Sequence, residues 1–276
     1  MQKAKEFYQF IWDKRSYSSV NHLTIDAAIE TALELQKNYI EVKKPLVMAD
    51  VTDNPGSGHY GDSTNLLKAM INAKLSNALF YAIYDKEAAS QCVSIGIGNS
   101  GIYFNCLNMY TLLTRIHTLG HITLGGKHDA NCGGAPLNLY GKVVTLSDGC
   151  FPSYGPMGGG VWANMGISVL FRVSYTDNSS DISSSSSNGS IDIMIISNNG
   201  QLLDLAQITS LGVDPLYKHT IAVKSNHHFR ASLDPIARKI ITLDGGGLGS
   251  MILKGGNYKN VRRPIWPIDD IELPLI

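Results

Sequence analysis

An acidic, glycine-rich loop at residues 50–64 is the first stretch whose residue types could do chemistry. Its sequence is DVTDNPGSGHYGDST, with Asp50 and Asp53 directly after a short apolar run and Asp62 just before an apolar pattern of helical spacing. A glycine-rich turn between a strand and a helix offers backbone N–H groups to an anion, but this acidic loop matches neither common phosphate-binding glycine motif. Two interpretations stay open: a ligand site, or a turn in which Asp53 and Asn54 cap the loop and Asp62 caps the helix.

A second group of such residues, KSNHHFRAS at 224–232, follows the buried-type strand pattern TIAVKS. Ligand sites in open α/β sheets gather at the carboxyl ends of strands. Lys224, His228 and Arg230 are therefore candidates for a shared site. The alternative is a buried histidine bonded to backbone, beside a solvated charge. The pattern predicts that the Gly56–Asp62 loop and the Lys224–Arg230 segment lie on the same edge of one sheet.

The remaining histidines and hydroxyls carry weaker signals. His117 and His121 have the i, i+4 spacing that places two metal ligands on one helical face, but the intervening HTLGH contains no glutamate. His128 and Asp129 follow the glycines of GGK, and Ser147 begins a predicted strand-end turn. No serine, cysteine or paired-carboxylate catalytic arrangement can be identified from spacing.

Composition narrows the class of protein. The chain has 276 residues, 44% of them hydrophobic, and equal numbers of basic and acidic residues, 23 of each. A neutral balance gives no support for nucleic-acid binding, and no apolar stretch reaches the length of a membrane span. The four cysteines form no C-x-x-C pair, which favours reduced thiols over a disulfide framework. We predict a cytoplasmic protein with a substantial core.

The apolar pattern along the chain predicts an α/β fold preceded by helices. Residues 4–40 are predicted as helices, the second capped by Thr24, and the apolar residues of the first, around Phe7, Ile11 and Trp12, have no obvious partner nearby. From Pro45 the pattern predicts a mixed sheet with flanking helices and an antiparallel β-rich part. In order, these elements are strand 45–50, helix 63–74 with Asp62 or Ser63 as its cap, strand 77–85, helix 86–96, antiparallel strands within 137–149, 166–175 and 191–198, strand 220–225, a short helix at 234–238 and strand 239–244.

Two segments interrupt this order. Residues 99–120 are predicted as an insertion between a helix and the glycines of LGGK. The serine-rich stretch SSDISSSSSNGS at 179–190 is typical of a solvated or disordered loop.

Many short motifs in order resemble the C-terminal domain of the microcystinase C family of metallopeptidases. The resemblance runs from about residue 45 to residue 269. Its motifs are D-x-x-D-N-P-G-x-G (50–58), GDST (61–64), IYD (83–85), LGGK (124–127), PL (136–137), LSDG (146–149), GPM (155–157), MG (165–166), LGVDP (211–215), KS (224–225), HFRA (228–231), PIA (235–237) and RRPIWPID (262–269).

The resemblance implies a zinc-dependent hydrolase of peptide bonds whose zinc ligands lie mostly in an N-terminal domain. Residues 1–44 then resemble a helical connector from that domain, and residues 45–276 the C-terminal domain. The connector's apolar face should be poorly covered by this chain, which we expect to be inactive alone and to need one zinc ion, a peptide substrate and a separately encoded N-terminal domain. The implied catalytic residues are Asp53 and His228, and the implied substrate-binding residues are Asp50, Asn54, Gly56, Gly58, Asp62, Lys224, Ser225 and Arg230.

The sequence departs from the family pattern at Ser57, where a glycine is usual, and at His59, where a small residue is usual. Two other interpretations therefore stay open. One is a non-catalytic binding or regulatory remnant of such an enzyme. The other, from pattern alone, is an α/β module that binds anions at the glycine-rich loop.

Overall fold

The computed structural model describes residues 2–16, 21–37, 44–97, 114–129, 131–175, 189–250 and 258–271. The helices are α1 (Gln2–Asp13), α2 (Ile25–Lys37), α3 (Asn65–Asn72), α4 (Lys86–Ile97), α5 (Ala206–Thr209) and α6 (Arg230–Leu233). The strands are β1 (Leu46–Asp50), β2 (Ala78–Tyr84), β3 (Thr114–Leu124), β4 (Leu137–Ser147), β5 (Cys150–Pro152), β6 (Trp162–Asn164), β7 (Ser168–Ser174), β8 (Ser190–Ile196), β9 (Thr220–Lys224) and β10 (Lys239–Leu243).

One mixed sheet of eight strands organises these elements, in the order β10-β1-β9-β2-β8-β7-β4-β3. The first five strands run parallel, and β7, β4 and β3 continue the sheet antiparallel. Strands β5 and β6 form a separate antiparallel pair. The predicted fold class, a mixed sheet with flanking helices and an antiparallel part, is confirmed. Strand β8 joins the two halves, because it pairs parallel with β2 and antiparallel with β7.

The core lies on both faces of this sheet. Leu46 and Met48 of β1 belong to the apolar cluster on the face that α2, α3 and α4 cover, whereas Val47 and Ala49 belong to the cluster on the other face. Successive side chains of a strand point to opposite faces, so a strand buried on both faces is apolar throughout. This accounts for the uninterrupted apolar runs from which the central strands were predicted.

The first helix is poorly covered, as expected. No residue of α1 is buried, and Phe7, Phe10 and Ile11 are more than half exposed. Helix α2 packs against the sheet through Ala28 and Ala32. Thr24 caps α2 as predicted, since the Ala27 N–H donates to its hydroxyl at 3.3 Å.

One pair of histidines with helical spacing lies on a strand, and one predicted helix lies at other residues. The stretch that contains His117 and His121 is strand β3, because it pairs with β4, with a register shift between Arg115 and Thr118, and its β-branched residues and glycine disfavour helix. The short helix predicted at 234–238 lies at Arg230–Leu233. Asp234 caps this helix, and Pro235, the next residue, lacks the N–H that would continue its hydrogen bonds.

The structure also bears on the state of the cysteines, on membrane spans and on the two segments that interrupt the order of elements. Within the described part of the chain, Cys92, Cys132 and Cys150 are reduced thiols, and no helix has the length and apolarity needed to span a bilayer. Most of the predicted insertion at 99–120 and of the serine tract at 179–190 lies outside the described residues. The division of the chain at residue 44 stays a prediction, as does a cytoplasmic location.

Candidate functional site

The candidate residues meet at one edge of the sheet, where the parallel strands end. Strand β1 ends at Asp50 and strand β9 at Lys224, and these two residues are register partners. The loop from Val51 to Thr64 leaves β1 and crosses above the end of β2, where the Tyr84 N–H donates to the Gly61 carbonyl at 2.9 Å. Parallel neighbours end at the same edge, so the predicted proximity of the two candidate segments is confirmed.

A buried ion pair holds this loop to β9. The Lys224 Nζ lies 2.9 Å from Asp53 Oδ2, and the two side chains are 2% and 3% exposed. The ammonium also donates to the Ser63 carbonyl at 2.8 Å and to the Ser63 hydroxyl. Asp53 in turn accepts from the N–H of Gly61 at 2.9 Å and of Ser63 at 2.7 Å. One carboxylate therefore ties both ends of the loop to the neighbouring strand.

The charge of Asp53 is stabilised in the folded state. Burial alone would raise the pKa of this carboxyl, but the Lys224 ammonium and the N–H groups of Ser63 and Gly61 together lower it below its ordinary value. Asp53 thus stays ionised at neutral pH. Because both side chains are almost fully enclosed, Asp53 and Lys224 position the loop and present no free polar group to a ligand in this conformation.

Asn54 shapes the tip of the loop, as the turn interpretation predicted. Its side-chain oxygen accepts from the Gly56 N–H at 2.9 Å and caps a short 3-10 turn at Pro55–Ser57. Gly58 ends that turn with a φ of +82°, a conformation that favours glycine. The Asn54 N–H donates to His59 Nδ1 at 3.1 Å, so the departure from a small residue at position 59 adds a contact inside the loop.

Asp50 is enclosed beneath the loop. Its Oδ1 accepts from the Thr52 N–H at 2.9 Å and from the Thr52 hydroxyl at 2.6 Å, with Gly245 N at 3.3 Å. Its Oδ2 is buried without a hydrogen-bond partner among the described residues. The residue is 1% exposed, a geometry that suits positioning of the loop rather than direct contact with a substrate.

A polar bridge that the sequence did not predict links the second segment to the loop. The Ser225 hydroxyl lies 3.0 Å from Gln201 Oε1, and Gln201 Nε2 lies 2.8 Å from His228 Nδ1. An amide nitrogen only donates, so Nδ1 of His228 accepts and its Nε2 carries the proton. The amide lies over Gly56, where an added Cβ would be 2.2 Å from Gln201 Nε2. The signal in the sequence was the polar run at 197–201 directly after β8.

Arg230 forms a long, exposed ion pair. Its Nη1 lies 3.4 Å from Asp234 Oδ1, one helical turn away, and both side chains are more than a third exposed. Such an exposed i, i+4 pair contributes little to stability. The guanidinium can therefore be redirected toward a ligand at small cost.

Asp62 does not cap α3, contrary to expectation. Its Oδ2 accepts from the N–H groups of Lys127 at 2.8 Å and His128 at 3.1 Å, and lies 2.9 Å from His128 Nδ1. Helix α3 begins after Thr64, whose side chain makes no capping bond. The carboxylate turns away from the helix because the chain after β3 supplies two converging donors.

The N-terminus of α3 has no open anion site. The N–H groups of Thr64 and Asn65 donate to the Gly133 carbonyl at 2.6 and 3.1 Å, and the Ser63 N–H is bonded to Asp53. An anion at this place would have to displace a carbonyl and repel a carboxylate. The anion-binding interpretation of the loop therefore has no support in its geometry.

The described residues do not form a metal centre by themselves. Across the described ranges, no three side chains of His, Cys, Asp or Glu converge as metal ligands. Both carboxylate oxygens of Asp53 and Oδ2 of Asp62 accept from internal donors. A hydrolytic zinc site needs about three protein ligands and an open position, which this edge does not supply.

Comparison with known proteins gives a family match. The model of the family described as the MlrC C-terminus matches residues 48–102 and 118–260. The unmatched residues 103–117 fall inside the segment 99–120 that was predicted as an insertion. The match contains the loop at 50–64, the bridge residue Gln201 and the segment at 224–232.

Two similar proteins extend this result. Microcystinase C from Sphingomonas sp. is 24% identical over 229 residues, which are 82% of this chain and 36% of that protein. A crystal structure from Mesorhizobium sp. BNC1, described as a candidate metallopeptidase, shares the fold with a TM-score of 0.69 at 18% identity, over 96% of this chain and 44% of that one. The chain thus spans less than half the length of either protein.

Proposed function

Because this chain belongs to the MlrC C-terminus family, we propose that it is the C-terminal module of a metallopeptidase that hydrolyses peptide bonds with the help of zinc. The family match supports a metallopeptidase-type module. The partial coverage of both similar proteins supports the further proposal that the metal ligands come from a domain outside these 276 residues.

The observation that carries the proposal is the loop at 50–64, fixed at the carboxyl edge by the buried Lys224–Asp53 pair. Breaking such a pair leaves an uncompensated buried charge, which costs several kcal/mol. The loop is therefore held in one conformation before any ligand arrives. A preorganised loop at a sheet edge suits a wall that closes over a substrate bound elsewhere in the enzyme.

Two side chains of the second segment are available to act on a peptide. His228 is exposed, and its Nε2–H is oriented outward by the bond from Gln201. It would donate a hydrogen bond to a peptide carbonyl, and the bond would strengthen as negative charge develops on that oxygen. Arg230 would bind a substrate carboxylate through its fork of N–H groups. Ser225, Asn54, Gly56 and Gly58 would shape the wall rather than react.

Zinc would supply a Lewis acid that activates water for attack on an amide. The described residues do not fit a zinc centre of their own, so we assign none of them as a metal ligand. Asp53 and Asp62 would act by holding the loop and the segment after β3 in place, at a distance from the metal. We expect no peptidase activity from the chain alone.

The test is a peptidase assay on a linear peptide with added zinc. The purified chain is measured alone and together with the part of Microcystinase C that it does not match, and bound zinc is measured in each sample. We expect zinc and turnover only in the mixture. His228→Ala should lower that turnover, whereas His121→Ala, which removes an exposed histidine of β3 that contacts Tyr140, should not.

Three outcomes would contradict the proposal. Turnover by the chain alone that an Asp53→Ala, His228→Ala double variant abolishes would show a complete catalytic centre in this chain. If the mixture binds the peptide but contains no bound zinc and shows no turnover, the result would favour the alternative of a non-catalytic remnant. Binding of phosphate without metal would favour an anion-binding module.

A further inference from the structure

His128 is held in one orientation by contacts from three sides. Its Nδ1 lies 2.9 Å from Asp62 Oδ2. Its ring is stacked between Tyr60, at 5.2 Å between ring centroids and an angle of 8°, and Tyr84, at 5.8 Å and 22°. The imidazole cannot swing away without losing the carboxylate and both rings.

The Asp62 carboxylate orients the His128 ring, and the ring is not needed to hold the carboxylate. Asp62 already accepts from two backbone N–H groups, so its burial does not require the His128 ring. In the tautomer in which Nδ1 of His128 donates to Asp62 Oδ2, the other ring nitrogen, Nε2, is a hydrogen-bond acceptor. This Nε2 has no hydrogen-bond partner within the described ranges, and 43% of the side chain is exposed.

The ring opens into a cavity at the carboxyl end of β2. The cavity has a volume of about 260 Å³ and contains three carboxylates, Asp62, Asp85 and Glu87, against two ammonium groups, Lys86 and Lys127. Lys127 bonds both Asp85 and Glu87, at 2.9 and 3.1 Å. The cavity therefore has one more carboxylate than ammonium group among these five side chains, and Glu87 is 77% exposed.

We propose that this cavity binds a basic side chain of a peptide, with a guanidinium N–H donated to His128 Nε2. A hydrogen-bond acceptor and the excess of carboxylates over ammonium groups together favour a cation. The proposal rests on the proposed function for the identity of the ligand as a peptide substrate. It adds a subsite for arginine at the same sheet edge as the loop at 50–64.

The test measures binding to the full chain without hydrolysis. The probes are two capped tripeptides, acetyl-Gly-Arg-Gly-amide and its citrulline analogue, which has the same shape without the charge. At about pH 8, NMR should show a saturable shift of the His128 ring proton with the arginine peptide, and at least tenfold weaker binding of the citrulline peptide. The resonance is assigned by its absence from His128→Asn.

His128→Asn is also the main test variant. Its amide can still donate to Asp62 but has no atom at the place of Nε2, so the arginine peptide should bind a few-fold to about tenfold more weakly. His121→Asn, on another exposed histidine whose ring contacts a tyrosine, should leave binding unchanged. If His128→Asn does not fold, Glu87→Gln, at an exposed position, is tested instead. This variant should weaken binding of the arginine peptide and leave binding of the citrulline peptide unchanged.

Equal binding of both peptides, no binding of either, or unchanged affinity in the folded His128→Asn variant would each overturn the proposal. These results are independent of the proposed function. A mixture that hydrolyses a neutral peptide would leave that function standing even if the arginine peptide does not bind here.

Discussion

Replacement of Lys224 by methionine is expected to destabilise the fold by about 3 kcal/mol at pH 7. Removal of one partner of a buried ion pair costs about 3–5 kcal/mol. The lower end applies because Asp53 keeps two backbone N–H donors, from Gly61 and Ser63. Methionine has nearly the length of lysine, so the lost charge outweighs the change in packing.

The sign of the pH dependence follows from the lowered pKa of Asp53. A carboxyl whose pKa is lower in the folded state than its ordinary value of 3.8 adds stability above about pH 4, and that stability is lost as the pH falls through the folded-state pKa. Once Asp53 is protonated there is no ion pair to lose. The difference in unfolding free energy between wild type and Lys224→Met should therefore shrink as the pH is lowered from 7 toward 3.

Urea unfolding of four proteins measures both effects. Wild type, Lys224→Met, Asp53→Asn and the double variant form a cycle, and we expect a coupling energy of about 2 kcal/mol or more at pH 7. Similar m-values would show that the variants unfold comparable structures. A loss below about 1 kcal/mol in Lys224→Met, or a coupling near zero, would refute the view that this pair anchors the loop.

Four further substitutions, in two matched pairs, test the loop and the exposure of the first helix. Gly56→Ala should displace the Gln201 side chain, because the new Cβ would lie 2.2 Å from its Nε2; NMR of the amide reports this. Gly58→Ala, which has open space but a φ of +82°, should cost about 1 kcal/mol and leave that amide in place. Phe10→Ala should change the unfolding free energy by less than about 0.5 kcal/mol, since Phe10 is 60% exposed. Phe80→Ala, at a residue 1% exposed, should cost about 3–5 kcal/mol in the same denaturation experiment.

Most strands could be predicted because a strand that is buried on both faces consists of an uninterrupted run of apolar residues. The apolar runs before Asp50 and Lys224 correspond to β1 and β9, buried at every position. The capping roles of Thr24 and Asn54 were likewise local, since each bonds a backbone N–H two or three residues away. Such contacts depend on short-range geometry that residue type and spacing already specify.

Local patterns were a poor guide where a distant segment decided the local structure. His117 and His121 have helical spacing, yet pairing with β4 makes their segment a strand. Asp62 was a plausible helix cap, yet it bonds Lys127 and His128, 65 and 66 residues away. Local propensity is a weak prior that such contacts override.

The sequence by itself determined the character of the strands, the turn at Asn54 and the family to which the chain belongs. Only the tertiary structure decided that β9 lies between β1 and β2, and thereby that Lys224 meets Asp53 across 171 residues of chain. It also brought Gln201 between Ser225 and His228. Strand order depends on long crossovers and on which buried faces pack together, and no local pattern records which partner a buried charge will find.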